Sequence, residues 1–312
     1  MRRLHSILFA VFVLGWIGDL MASVIPPASY QRFNLRWQGR TQARPLPLAG
    51  ARPVVPVFPW APTNAIAGPN LSTNRALLPD TMRVLFLGNS LTSGHDMPGV
   101  LTRMSARSKQ RIAATTRAIG GYTLQNHLVD PVTRTSIYSS VPDILNPTNR
   151  IAWHAVILQE QSQMPVYAWQ RMAAAAQGLN THIQAARSQV ALFIPQSRPD
   201  QFFSQTDFLN RVEGGYQFTA RQLGNCPVVP VGRAWQIAEA RHPEIQLRDR
   251  DSYHPSPHGA YLTACMFYAY LTWQSPLGLS NGGLHAVKER EAVILQRIAW
   301  ETFAARRQGI PF

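Results

Sequence analysis

The chain has 312 residues, enough to bury one good-sized core with tails, and its 46% hydrophobic and 15% charged residues exclude a disordered or coiled-coil protein. Thirty Lys+Arg against 16 Asp+Glu leave a formal charge of +14, almost all of it arginine because only Lys109 and Lys288 are lysines. Such a field concentrates anionic glycans or lipid head groups at the surface, or else reflects arginine-rich codon usage, and the lack of clustered basic residues interleaved with aromatics argues against nucleic-acid recognition.

In chain order, Arg2 and Arg3 precede an apolar stretch from Ile7 to Ile17, then Asp19 and the small-residue tract Met21-Ala22-Ser23. This is the order of a signal peptide over residues 1–23, implying export to the periplasm or beyond the cell. The apolar core falls short of the roughly 20 residues that span a bilayer, so an uncleaved membrane anchor is the alternative reading. Ten of the 24 prolines follow between Pro26 and Pro79. They exclude helix and central strand, which leaves residues 24–80 as an extended spacer or coat with Phe58 and Trp60 as anchoring points.

From Arg83 the pattern changes to short apolar runs alternating with helical periodicity, and residues 81–312 are expected to form one domain. Strands are predicted at Val84–Leu87, Ile112–Ala118, Ala155–Gln159, Val190–Pro195 and Pro227–Val231. Helices are predicted near 97–109, 166–187, 205–223 and 232–241. A further helix opens at Ser256 as N-cap with Pro257 at its first position and runs to Tyr270. The last covers about 286–308, stopped by Arg306, Arg307 and Gly309. Alternation of this kind predicts a three-layer α/β/α, flavodoxin-like doubly wound sheet of about five parallel strands.

Two places carry chemistry. The first strand runs into Gly88-Asn89-Ser90-Leu91-Thr92, which puts a serine at the carboxyl end of a parallel strand, where open α/β sheets build their sites. Far downstream, Asp251-Ser252-Tyr253-His254 precedes the helix at Pro257. A serine hydroxyl needs a base to take its proton, and the base needs a third group to fix its tautomer. An Asp and a His three residues apart on one loop supply both.

Gly88-Asn89-Ser90-Leu91-Thr92 resembles the first sequence block of the SGNH/GDSL hydrolases, and Asp251-x-x-His254 resembles their last, in the same order along the chain. The resemblance covers roughly residues 81–275. It implies a serine esterase working through an acyl-serine, with Ser90 as nucleophile, His254 as base and Asp251 orienting it. It also implies an oxyanion hole from the amides of Ser90 and Gly121, the latter within Ala118-Ile119-Gly120-Gly121-Tyr122-Thr123, and from a side chain after the third strand. Where the family carries Gly-x-Asn-Asp, this chain has Leu158-Gln159-Glu160-Gln161-Ser162, similar to a bacterial subgroup with Gln-Glu-Gln-Ser. Gln161 then stands in for the Asn, with Gln159 as the alternative donor. Glu160 is odd beside a developing anion and is expected to face structure or substrate hydroxyls.

The expected substrate is an ester, with an O-acetyl or other short acyl group on an envelope carbohydrate as first choice and no cofactor or metal. Alternatives are a non-catalytic module for anionic polysaccharide and an acyltransferase to a sugar hydroxyl. A metal set of Asp251, His254 and His258 is disfavoured because Pro255 and Pro257 prevent a helix that would align the histidines. His95-Asp96 reads as pocket lining or a capped turn. Cys226 and Cys265 could pair in an oxidising compartment, but their apolar settings favour two buried thiols.

Overall fold

The computed structural model describes residues 80–129, 145 and 152–307. The expected signal peptide, the proline-rich segment apart from Asp80, and the Gly309 stop signal lie outside the described residues.

Five strands, β1 (Thr81–Gly88), β2 (Arg111–Ala118), β3 (Ala155–Leu158), β4 (Gln189–Phe193) and β5 (Val228–Val229), form one sheet in the order β2-β1-β3-β4-β5. Every pairing is parallel. A parallel sheet is covered on both faces, so its strands read as unbroken apolar runs whose alternate residues enter two different cores. Along β1, Val84 and Phe86 enter one core, and Leu85 and Leu87 the other. Ala155 and Ile157 of β3 divide from Val156 and Leu158 in the same way.

The first core is covered by α2 (Met97–Ser105), α7 (Val231–Arg241), α8 (Pro257–Thr272) and α9 (Glu289–Arg307), the second by α3 (Leu124–Leu128), α5 (Trp169–Ala185) and α6 (Gln205–Gln222). The expected three-layer α/β/α architecture is therefore what the chain builds. Helix α8 is buried almost all round, and its Phe267 packs edge-on against Phe86 and Phe193, with ring centroids 4.9 and 5.0 Å apart. Its start is the expected one, since Ser256 Oγ accepts the N–H groups of His258 and Gly259 and Pro257 opens the helix.

The differences from expectation have local causes. Strand β5 pairs over only two residues because Pro227 and Pro230 flank it and neither can donate to a ladder. The helix expected over 166–187 is two, α4 (Met164–Tyr167) and α5, separated at Ala168 with φ −147° and ψ 43°. Two short helices were not anticipated, α1 (Ser90–Ser93) and α3. The second is fixed by a capping box in which Thr123 Oγ1 accepts the Asn126 N–H and Asn126 Oδ1 accepts the Thr123 N–H. Cys226 and Cys265 are both free and buried, and burial pushes both thiols well up from their ordinary range. Among the described residues, no helix is long and apolar enough to cross a membrane.

Candidate active site

Strand β1 lies where the chain order of the sheet reverses, with β2 on one side and β3 on the other. At such a point the loops leaving the carboxyl ends diverge and open a crevice. Ser90 opens α1 directly after β1. Asn89 sets this turn, its Oδ1 accepting the Leu91 N–H at 3.1 Å and its Nδ2 donating to Tyr122 O at 3.0 Å, which ties the loops after β1 and β2 together. Gly88 is required before it, because an added Cβ would meet Thr92 Oγ1 and lie 2.7 Å from Gln159 Oε1.

The second half of the site is the loop between α7 and α8. It folds on itself through the Asp249 N–H to His254 O and Ser256 N–H to Leu247 O bonds, both 2.8 Å. Arg248 fastens it below, with Nε donating to Glu239 at 2.6 Å and a terminal nitrogen to Ser197 O at 2.7 Å. Within the loop, Asp251 Oδ1 accepts the N–H groups of Tyr253 and His254, each at 2.9 Å, which turns Oδ2 toward His254 Nδ1 at 2.5 Å. Partial burial pushes the Asp251 carboxyl up, but the hydrogen bonds from the His254 ring and the two amides outweigh it and hold the pKa at about 2. An ionised carboxylate accepts only, so the His254 proton sits on Nδ1 and Nε2 is left as an acceptor.

That Nε2 lies 2.9 Å from Ser90 Oγ. Ser90, His254 and Asp251 thus form one hydrogen-bonded line between residues 164 positions apart in sequence. Tyr253 steadies the line from the side: its hydroxyl meets Ser162 Oγ at 2.8 Å, Gln196 Nε2 donates to its carbonyl at 3.2 Å, and Arg198 lies over its ring.

The expected anion donors sit on the three successive loops at the same sheet edge. In the strand register Gly88 pairs with Ala118 and Leu87 with Leu158, so Ser90, Gly121 and Gln161 each lie two or three residues beyond a paired position. The Ser90 N–H is a first-turn amide with no intrahelical acceptor. Gly121 has φ 74°, which glycine adopts without strain, and its N–H has no acceptor among the described residues. Gln161 keeps its side-chain oxygen on the Gln163 N–H at 2.8 Å, leaving Nε2 without an acceptor among the described residues.

Gln159 is used differently. It is buried, its Oε1 accepts from the Asn89 N–H at 3.0 Å and Thr92 Oγ1 at 2.8 Å, and its Nε2 donates to Glu160 O. Its oxygen and one of its two amide hydrogens are thus engaged within the loop framework, and the side chain is buried there. Glu160 faces structure, being fully buried with Oε1 accepting from Leu124 and Gln161 N–H. This contact, which joins two of the donor loops, has no periodicity or spacing signal in the sequence.

His258 turns to Glu291 of α9 at 2.9 Å and does not join Asp251 and His254. His95 lies 3.7 Å from Asp249 on the histidine loop, and Asp96 caps nothing through its side chain, meeting Arg103 instead.

No family model matches the chain, and no curated protein matches it in sequence. Solved structures do. A candidate SGNH hydrolase from Slackia heliotrinireducens is 25% identical with a TM-score of 0.50, over 61% of this chain and 99% of that one. A DUF4886 family protein from Bacteroides uniformis is 16% identical with a TM-score of 0.55, over 72% of this chain and 95% of that one.

Proposed function

We propose that this chain, which has the fold of the SGNH/GDSL-like hydrolase superfamily, is a serine esterase that works through an acyl-serine intermediate. The observation that carries the reading is the 2.9 Å contact between Ser90 Oγ and His254 Nε2, with Asp251 on the far ring nitrogen. A carbonyl carbon held over Ser90 is attacked by Oγ as the hydroxyl proton passes to His254 Nε2. The carbonyl oxygen becomes an oxyanion, and the backbone N–H groups of Ser90 and Gly121 and the side-chain NH₂ of Gln161 are the donors available to it. Collapse expels the alcohol, which takes the proton from His254. Water then repeats the cycle on the acyl-serine and releases the acid.

An envelope carbohydrate carrying a short acyl group is the substrate class we favour. The side chains of His254 and Asp251 are 35% and 50% exposed, which suits an ester presented on a polymer better than a long acyl chain needing a deep apolar slot. The N-terminal sequence supports an exported protein, and the charge of +14 supports association with anionic surfaces.

The test is p-nitrophenyl acetate hydrolysis together with labelling by a fluorophosphonate probe. Wild type should turn over the ester and be labelled at Ser90, whereas Ser90→Ala should lose labelling and about 10⁴-fold or more in kcat. A folded wild type inert to both reagents would refute the esterase reading and favour a binding module. Acetylated sugar formed when an oligosaccharide is supplied with the ester would make the chain a transferase.

A further inference from the structure

We propose that Glu160 is a positioning residue for this esterase, its carboxyl group clamping the loop after β3 to the start of α3 so that the Gln161 and Gly121 donors are held toward Ser90. The inference rests on the esterase reading and adds to it a group that touches no substrate.

The geometry is a convergence on one oxygen. Glu160 Oε1 accepts the Gln161 N–H at 2.6 Å and the Leu124 N–H at 3.1 Å. The first belongs to the residue whose side-chain amide is free, and the second lies three positions after Gly121, at the first turn of α3. A single acceptor therefore fixes the spacing between two loops that share no backbone hydrogen bond at this level among the described residues. Its own backbone is anchored from both sides, since Tyr216 Oη of α6 accepts the Glu160 N–H at 2.8 Å and Gln159 Nε2 donates to its carbonyl. The residue is wholly buried, so it cannot serve as general acid or base for a substrate.

The second oxygen, Oε2, is buried with no hydrogen-bond partner among the described residues. An ionised carboxylate would leave charge on that oxygen with no donor among the described residues to satisfy it, next to a site where a second negative charge must form. Burial pushes the Glu160 pKa up to about 8, against the lowering by the two amides and by Arg171 of α5. The surrounding titratable groups do not alter this balance. Burial holds the Tyr216 phenol neutral, and the His127 ring of α3, whose pKa burial lowers, is engaged with Gly88 O.

The experiment is the pH profile of kcat and KM for p-nitrophenyl acetate, between pH 6 and 10, in wild type, Glu160→Gln and Glu160→Ala, with thermal unfolding as a check on folding. Wild type should lose kcat above about pH 8 with KM steady. Glu160→Gln keeps the acceptor oxygen and cannot ionise. It should retain kcat within about threefold at pH 7 and lack the alkaline limb. Glu160→Ala should lower kcat about tenfold or more at every pH, because the donors lose their spacer. An alkaline limb shared by wild type and Glu160→Gln, a wild type flat to pH 10, or full kcat in Glu160→Ala would each overturn the proposal while leaving the esterase intact. A wild type without activity at any pH overturns both readings together.

Discussion

Replacing Asp251 by Asn is expected to harm catalysis more than replacing it by Ala, the reverse of what side-chain size suggests. Asp251 serves two masters: Oδ1 accepts two backbone N–H groups at 2.9 Å, and Oδ2 accepts from His254 Nδ1 at 2.5 Å. Asn has one oxygen. Keeping it on the two amides preserves two hydrogen bonds, each worth about 0.5–1.5 kcal/mol, whereas turning it to the ring preserves one and sets an NH₂ against two donors. The NH₂ therefore faces Nδ1, which must be bare, and the ring proton moves to Nε2. In that tautomer Nε2 points a proton at Ser90 and cannot accept one, a fault that costs about 10⁴ in kcat. Ala leaves Nδ1–H without its partner, but the Asp251 side chain is 50% exposed, so water can take its place. Only the orientation and the charge are lost, a fault within the about 10²–10⁴ that a positioned base contributes and smaller than that of the wrong tautomer. The assay is kcat for p-nitrophenyl acetate at pH 8 in both variants, with equal thermal unfolding showing that each is folded. Asp251→Asn matching or exceeding Asp251→Ala would refute the reasoning, because it would mean that the amides do not dictate which way the Asn side chain turns.

The two glutamines should separate stability from catalysis. Gln159→Ala leaves the buried Asn89 N–H and Thr92 hydroxyl without acceptors, at about 1–3 kcal/mol each, so Tm should fall by several degrees. Gln161→Ala gives up one part-buried bond to the Gln163 N–H and should lower Tm by less than Gln159→Ala does while lowering kcat about 10²–10³-fold, with equal effects on Tm counting against the assignment. Asp251 should also appear in acid titrations. Its folded pKa is depressed from 3.8 to about 2, so its stabilising contribution is present above about pH 4 and is lost as pH falls toward 2. Solvent screening of a half-exposed carboxylate keeps that contribution small, so Asp251→Ala should shift the acid-unfolding midpoint only slightly. On immobilised acidic glycan, retention should fall steeply with salt if the arginine excess is functional, and salt-independent behaviour would point to codon usage.

The sheet was legible because a parallel strand buried on both faces leaves a continuous apolar run, and Val84–Leu87 and Ala155–Leu158 are such runs. The edges were less so. Strand β5 contracts to Val228–Val229 because tertiary pairing, limited by two prolines, overrides the apolar length of its segment. At the site, Ser90, His254 and Asp251 were readable because a nucleophile and its base need particular side chains at strand ends and helix starts, and the structure brings those three together. Which glutamine was free could not be read. Gln159 and Gln161 have the same chemistry, and they are distinguished only by Asn89 and Thr92, some 70 residues away, which occupy Gln159 alone. The buried orientation of Glu160 is likewise a tertiary fact, created by Leu124 and Tyr216 from two other elements.

One feature of the backbone bears on how the two halves of the site are kept together. His95 and Asp96 are consecutive non-glycine residues with φ of 48° and 52°, an arrangement that costs about 1–2 kcal/mol each. Their side-chain contacts do not offset this: His95 and Asp249 are 3.7 Å apart and Asp96 pairs with Arg103, with all four groups a third or more exposed, and such pairs contribute at most about 1 kcal/mol. The compensation comes from what the turn delivers on either side. Before it, Gly94 lies so close to Pro255 that an added Cβ would sit 2.7 Å from the ring; after it, Met97 and Val100 enter the first core fully buried. The strained turn thus presses the segment that follows Ser90 against the residue that follows His254, while α2 and α8 pack on the same face of the sheet. Contact between nucleophile and base is therefore supported by core packing as well as by the hydrogen bonds that tie the histidine loop to Ser162, Gln196 and Ser197.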